Sequence, residues 1–423
     1  MNEYDVGSAP GDGPPAHPRR TPGALGAAGP PLVGPAAGVD DAGLGSSSEY
    51  ARSHRMLRPL PHDDYHAVVR ARMADLDRLA PLPAGARAGE PVSIASSGGP
   101  PTGAASGLHG AAAGAPDDGA GAGRPASASV VGPPGTDAAP ASPGASPGLL
   151  PDERLLVALD VDGTILDING RVSERMMASL ARLRAYGVQI VISTGRGIQA
   201  ALPVAYHVGL TDGWMICANG AITLRMDPAA PGGYEIADAV TFDPADAIAA
   251  LTRAVPDGIV AVEVLGDGFK VSRPFPDGEL IEAQRVVGLE EMAAQPVTRV
   301  VLRAPGMDVG EFSDLVAGCG LHSVEYAIGW TAWLDVAPEG VTKASALQAL
   351  AARLGTDASR TIAVGDGTND VEMLRWAGVG AAMGSAPGSV KESSDIVTGP
   401  VWHDGCAALL DAVVERTRKR SQS

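Results

Sequence analysis

Two short segments place acidic side chains where apolar runs end. Asp160-Val161-Asp162-Gly163-Thr164 closes the run that begins at Leu155, and Gly365-Asp366-Gly367-Thr368-Asn369-Asp370 closes TIAV. Strand alternation would project Asp160 and Asp162 the same way and turn Val161 into the fold. Two neighbouring carboxylates repel each other and so favour a cation between or beside them. One can attack phosphorus while the other handles the proton of a leaving group. Gly163 lets the backbone turn and approach a phosphate closely. Asp366 is a hard-oxygen ligand suited to Mg²⁺, and Asp370 can also act as a helix cap. Buried strand ends need no unpaired carboxylates for folding, so two such ends in one sheet point to chemistry.

Two further positions add to this set. Ser193-Thr194-Gly195-Arg196 ends a second apolar run, where a hydroxyl and free backbone N–H groups can hold a phosphate oxygen; Arg196 reads as support for that loop. Of the 32 Lys and Arg residues only four are lysines. One of them, Lys343, falls in the first turn of a helix, against the positive end of the helix dipole. A compact ammonium pairing with a carboxylate and a phosphate would account for that placement.

The elements that must hold these residues follow from periodicity. LLVALDV, VQIVIST and WMICAN are buried strands separated by helices at about 173–186 and 198–208, with Ser173 as a cap and Gly187 as a stop. This alternation predicts a parallel sheet with crossover helices. Between 222 and 334 the pattern shifts to YEIADAVTF, a helix near 244–255, IVAVEVL, GFKVS, TRVVLRA, a helix near 310–318, HSVEYAI and TAWLDVA. Strand and helix alternate again after Thr342. The fold class read here is α/β: a Rossmann-like doubly wound parallel sheet split by an inserted α+β domain. Its segments are 151–221 and 335–423 for the core and 222–334 for the insertion.

Residues 1–150 are dominated by Gly, Ala, Pro and Ser and are expected to be a disordered extension. Its one periodic island, HDDYHAVVRARMADLDRL, reads as a marginal helix in a tail, with Asp63 or Asp64 as its cap, rather than as a docking helix. The extension is open to two readings: a binding segment for an unknown partner, or a stretch upstream of a true start at Met56. The formal net charge of −17 argues against nucleic-acid and anionic-membrane partners. Cys217, Cys319 and Cys406 fit no disulfide or zinc pattern, and Cys217 and Cys319 read as small buried hydrophobes. With no apolar run of spanning length and no secretory signal, a cytoplasmic protein is expected.

DVDGT, STGR, Lys343 and GDGTND, in this order, resemble the four motifs of the haloacid dehalogenase superfamily of phosphohydrolases over about residues 154–415. The long insertion, the Asn219-Gly220-Ala221 step before it and APEGVTKASAL after it resemble the Cof-like branch with its large α/β cap. The resemblance implies an aspartyl-phosphate on Asp160, with Asp162 as general acid and then base. It implies phosphate contacts from Thr194, Gly195, Asn219 and Asn369, and Lys343 steadying nucleophile and phosphate. Mg²⁺ would be held by Asp160, Asp366 and the Asp162 main-chain carbonyl, with Asp370 in support. Small phosphorylated metabolites are the implied substrates, with transfer to a non-water acceptor or a non-catalytic binding role as the alternatives.

Overall fold

The computed structural model describes residues 57–82 and 148–421, apart from 278, 281, 320, 322–323 and 329–331. The expectations for 1–56, 83–147 and a start at Met56 lie outside the described residues. The core is an eight-stranded sheet built around β1 (Leu156–Leu159), β2 (Gln189–Ser193), β3 (Gly213–Cys217) and β12 (Thr361–Gly365). Its order is β14-β13-β12-β1-β2-β3-β4-β5, with β13 at Val379–Ala382 and β14 at Ile396–Val397. The strands from β14 to β3 run parallel.

Every residue of β1 is buried, as a strand covered on both faces requires. Leu155, Val157 and Leu159 face a cluster that includes α2 (Glu174–Ala185), α3 (Ile198–His207) and α10 (Gly405–Ser421). Leu156 and Ala158 face the other side, against α7 (Lys343–Arg353) and α8 (Val371–Trp376). The doubly wound reading therefore holds. Ser173 caps α2 by accepting from the Met176 N–H, and Gly187 follows the helix with φ +78°.

Sheet membership moves the boundaries of the insertion. Residues 222–239, assigned to it from sequence, form β4 (Ile222–Met226) and β5 (Tyr234–Ala239), which extend the core sheet. β4 folds straight back on β3, pairing Cys217 with Ile222, and such a local antiparallel return needs no crossover. At the other end β11 (Trp333–Pro338) belongs to the inserted sheet, so the second core segment begins after it rather than at 335. The inserted sheet has the order β10-β11-β9-β6-β7-β8: Val324–Ile328, Trp333–Pro338, Arg299–Arg303, Ile259–Val264, Gly268–Val271 and Gln284–Val286. Helices α4 (Ala245–Ala254) and α6 (Val309–Gly318) cover one of its faces. Short helices α5 (Leu289–Met292) and α9 (Gly388–Glu392) complete the set. Cys217 is buried, as expected, but Cys319 is only partly so.

The helix at 62–79 corrects the tail reading. α1 (His62–Leu79) packs on α10 and buries Tyr65, Val69, Met73 and Leu76. Neither Asp63 nor Asp64 caps it: Pro61 holds that position, and both acids lie in the first turn. An isolated 18-residue helix is marginal, yet this one meets a partner that cannot stand uncovered. Cys406–Leu410 and Ala412–Val414 of α10 are all buried, so α10 needs cover on more than the sheet side. Polar contacts fix the register. Tyr65 Oη, Ser179 Oγ and Arg182 Nη1 donate to Asp411 at 2.9, 2.7 and 2.7 Å. Arg416 donates to the Ala80 and Leu149 carbonyls at 3.1 and 2.7 Å, which ties residues on both sides of 83–147 to one side chain. Replacing Leu76, fully buried, with Ala is expected to destabilise the protein by about 3 kcal/mol. Thermal unfolding of the full chain checks this; an unchanged midpoint would show that α1 does not dock.

Candidate active site

Adjacent parallel strands set the acids side by side. Leu159 of β1 pairs with Val364 of β12 and with Ile192 of β2. The next residues, Asp160, Gly365 and Ser193, thus share one level at the C-terminal edge of the sheet, with Asp366 and Thr194 one step beyond. That edge is where open α/β sheets place their ligands. The Asp160 N–H donates to the Val364 carbonyl at 3.0 Å, which fixes the backbone beneath the carboxylate.

Lys343 is the N1 residue of α7, behind the Thr342 cap and its reciprocal bonds with Ser345. Its Nζ donates to Asp160 Oδ1 and to Asp370 Oδ1, both at 2.7 Å, and its side chain is wholly enclosed. The electrostatic anomaly seen in the sequence is thereby resolved: two carboxylates outweigh the dipole end. Asp370 turns its other oxygen to the N–H groups of Asp366 and Gly367 at 3.0 and 2.9 Å. It braces its own loop and orients Lys343, but its side chain does not cap α8.

Asp160, Asp366 and Asp370 bring carboxylate oxygens within 4.8 Å of one another. Three acids against one ammonium leave two negative charges in excess, and all donors are hard oxygens. That donor set fits Mg²⁺. Burial and then Asp370 push the Asp160 carboxyl up to about 7, against the pull of Lys343. Burial works to lower the Lys343 pKa, but Asp160 and Asp370 outweigh it, so the ammonium stays charged. Two glycines make the space. Gly163 has φ +84°, and a Cβ there would lie 2.1 Å from Asp366 Oδ2; at Gly365 it would lie 2.4 Å from Asp370 Cγ.

Asp162 departs from the expected alternation. β1 ends at Leu159, and the Asp162 carboxylate forms a two-point ion pair with Arg196, Nε–Oδ2 2.8 Å and Nη2–Oδ1 2.5 Å. Asp370, not the Asp162 side chain, completes the oxygen cluster. Arg196 thus does more than support its loop. This pairing of the first and second motifs was missed from sequence, which had no signal linking residues 34 apart.

The remaining predicted positions converge on the same edge. Thr194 is buried and its Oγ1 accepts from the Arg196 N–H at 3.1 Å. Ala218 and Asn219 sit in a left-handed turn at φ 50° and 54°. Asn369 Nδ2 donates to Asn219 Oδ1 at 2.9 Å. A Cβ on Gly195 would sit 3.0 Å from that oxygen, and one on Gly220 would strike the Thr342 carbonyl at 2.3 Å. The turn is therefore wedged between the second motif and the base of α7.

The inserted domain reaches this edge with residues that sequence reasoning passed over. Arg299 Nη1 donates to the Gly195 carbonyl at 2.6 Å, and its guanidinium also pairs with Glu263 at 3.1 Å and Asp335 at 3.3 Å. Asp267, Lys270 and Arg273, the polar residues around GFKVS, do not join it. Asp267 and Arg273 are exposed, and Lys270 pairs with Glu291 at 3.8 Å. The available signal was a charge inside an apolar strand, Glu263 in IVAVEVL and Arg299 in TRVVLRA.

The sequence model of the haloacid dehalogenase-like hydrolases matches residues 157–247 and 312–410, which carry all four motifs. The chain belongs to this family. Membership gives the enzyme class, a phosphoric monoester hydrolase, and the Cof-like branch agrees with the inserted α/β domain, its cap. This haloacid dehalogenase-like hydrolase is 28% identical over 264 residues to the 5-amino-6-(5-phospho-D-ribitylamino)uracil phosphatase YitU of Bacillus subtilis, an alignment covering 60% of this chain and 96% of that one. It is 28% identical over 257 residues to a phosphoglycolate phosphatase of Halobacterium salinarum, covering 61% and 96%. A solved structure from Bacteroides thetaiotaomicron, described among phosphatases of the haloalkanoate enzyme superfamily, superposes with a TM-score of 0.51 at 28% identity, covering 62% and 95%. α1 precedes the matched residues. Among the described residues no helix of the hydrolase is long and apolar enough to cross a membrane.

Ligating carboxylates must shed their protons, so Mg²⁺ affinity should fall as pH drops through the raised Asp160 pKa of about 7. Titration calorimetry should give binding about tenfold weaker at pH 6 than at pH 8. Affinity that does not change across that range would contradict the assignment of Asp160 as a ligand.

Proposed function

We propose that the protein is a Mg²⁺-dependent phosphatase that hydrolyses small phosphorylated metabolites through an aspartyl-phosphate on Asp160. Sugar phosphates, nucleotides and phosphorylated cofactors make up the substrate range. The observation that carries this reading is the Lys343 bridge between Asp160 and Asp370, set beside Asp366 at the sheet edge. It holds a nucleophile oxygen in place and counters part of the charge a phosphate would meet.

Asp160 attacks phosphorus, forming the P–O bond to its carboxylate as the ester P–O bond breaks. Asp162 gives a proton to the departing oxygen, then takes one from the water that cleaves the acyl phosphate. Its carboxylate must leave Arg196 to reach the leaving group, since both of its oxygens accept from the guanidinium. The Thr194 hydroxyl, the Gly195 backbone and the amides of Asn219 and Asn369 orient the phosphoryl oxygens. Magnesium, held by Asp160, Asp366 and the Asp162 main-chain carbonyl with Asp370 behind them, would supply charge neutralisation at those oxygens. The cap, joined to the second motif through Arg299 and Gly195, excludes water from the first step.

Phosphate release from an aryl phosphate should require Mg²⁺ and be abolished by Asp160→Asn. Asp162→Asn should slow it by about 10²–10⁴-fold. Turnover that survives Asp160→Asn would sink the assigned nucleophile.

A further inference from the structure

The core-facing surface of the cap sheet changes character along its strands. Ile259, Ala261, Phe269, Val271 and Val301 form an apolar patch, covered by Phe275 and Leu280 of the β7–β8 connection. Beyond the patch the same face turns polar: Glu263 is the cross-strand partner of Arg299, and Asp335 is the partner of Val301. This polar end lies over the second motif. A Cβ on Gly197 would come within 2.4 Å of Glu263 Oε1 and 2.7 Å of Glu282 Oε1. The loop that carries Thr194 is thus bare backbone where two cap carboxylates reach it.

The charges here do not cancel. Glu263, Glu282, Asp335 and Asp162 face only Arg299 and Arg196, leaving an excess of two negative charges. Arg299 is engaged by Glu263, Asp335 and the Gly195 carbonyl, and Arg196 by Asp162. Glu282 is only 9% exposed, and among the described residues its carboxylate accepts a hydrogen bond from its own backbone alone. Arg299 and Arg196 act on it without pairing with it. Burial raises the carboxyl pKa of Glu282 and of Asp335, the latter against the pull of Arg299. Folding gives no reason to enclose an acceptor-only group short of donors. A ligand that brings donors does.

We propose that the substrate's leaving group binds beside the Gly195–Gly197 turn, against the wall formed by Glu263, Glu282 and Asp335, and that this wall selects a neutral or cationic, hydrogen-bond-donating leaving group over one carrying a second anion. The inference rests on the phosphatase reading above and narrows it. A polyol or amino-alcohol phosphate supplies O–H or N–H donors to the carboxylates. A leaving group with its own carboxylate, as in phosphoglycolate, leaves Glu282 unpaired and adds like charge to the wall. The preference therefore differs from the one named for the Halobacterium salinarum relative.

The test compares kcat/KM of the full-length protein with Mg²⁺ on an aryl phosphate, sorbitol 6-phosphate, phosphoethanolamine and 2-phosphoglycolate. Sorbitol 6-phosphate and phosphoethanolamine should exceed 2-phosphoglycolate by at least about tenfold. Glu282→Gln keeps the side-chain shape and removes the charge. It should narrow that ratio about tenfold, chiefly through a lower KM for 2-phosphoglycolate relative to sorbitol 6-phosphate. Asp335→Asn should act in the same direction. Aryl phosphate turnover with 2-phosphoglycolate equal to or better than the other two would overturn the leaving-group inference and leave the phosphatase standing. Ratios unmoved by both variants would overturn it too. No turnover of any of the four would overturn both.

Discussion

Everything at the sheet edge is organised around one enclosed ammonium. Lys343 touches Asp160 and Asp370 at 2.7 Å each, with no exposure of its side chain. Two like charges about 5 Å apart repel by about 3 kcal/mol at an effective dielectric of about 20. Three carboxylates as close as Asp160, Asp366 and Asp370 could not all stay ionised in a buried site without compensation. Lys343 supplies part of it, and the remaining excess suits the cluster to a cation. Removing either partner of a buried pair leaves an uncompensated charge, costing about 3–5 kcal/mol. The bridge is therefore structural and chemical at once, and the N-terminus of α7 has to be placed with corresponding accuracy. The Gly220 turn against the Thr342 carbonyl does this from one side, and the Thr342–Ser345 cap from within.

The core and its motifs were legible because their signals are local. A buried parallel strand is a short apolar run, and a strand end with acids and a glycine stands out against it. Lys343 was legible through its unfavourable place on a helix and its rarity. What escaped was pairing over distance. Nothing near Asp162 announces Arg196, and β1 stops at Leu159, so strand alternation could not be carried through to Asp162. The edges of the insertion slipped for a related reason. β4 and β5 look like the strands that follow them, and only their pairing with β3 assigns them to the core.

α1 is a case of reading an element without its partner. Its stripe of Tyr65, Val69, Met73 and Leu76 was visible, and judged alone it was too weak to fold. The missing half of the argument lay in α10, whose Cys406–Leu410 and Ala412–Val414 are apolar on nearly every side. A terminal helix hydrophobic all round must be covered twice. Asp411, the one acid in that stretch, receives three donors from α1 and α2, which satisfies its charge and fixes the angle at which α1 lies.

The cap follows the opposite logic to the core. In the core Lys343 and Asp411 have named counter-charges, and the excess at Asp160, Asp366 and Asp370 sits where a cation fits. On the polar end of the cap face the acids outnumber the bases, and one of them, Glu282, is enclosed with no cation of its own. A protein under no functional demand would gain stability by neutralising or exposing such a group. Its burial over the bare Gly195–Gly197 turn is better explained by a group that is absent from the fold itself. On the proposed reading the phosphate brings its charge to the Asp160–Asp366 side, and the rest of the substrate meets the carboxylates. The two halves of the site thus ask for opposite chemistry from the two ends of one molecule.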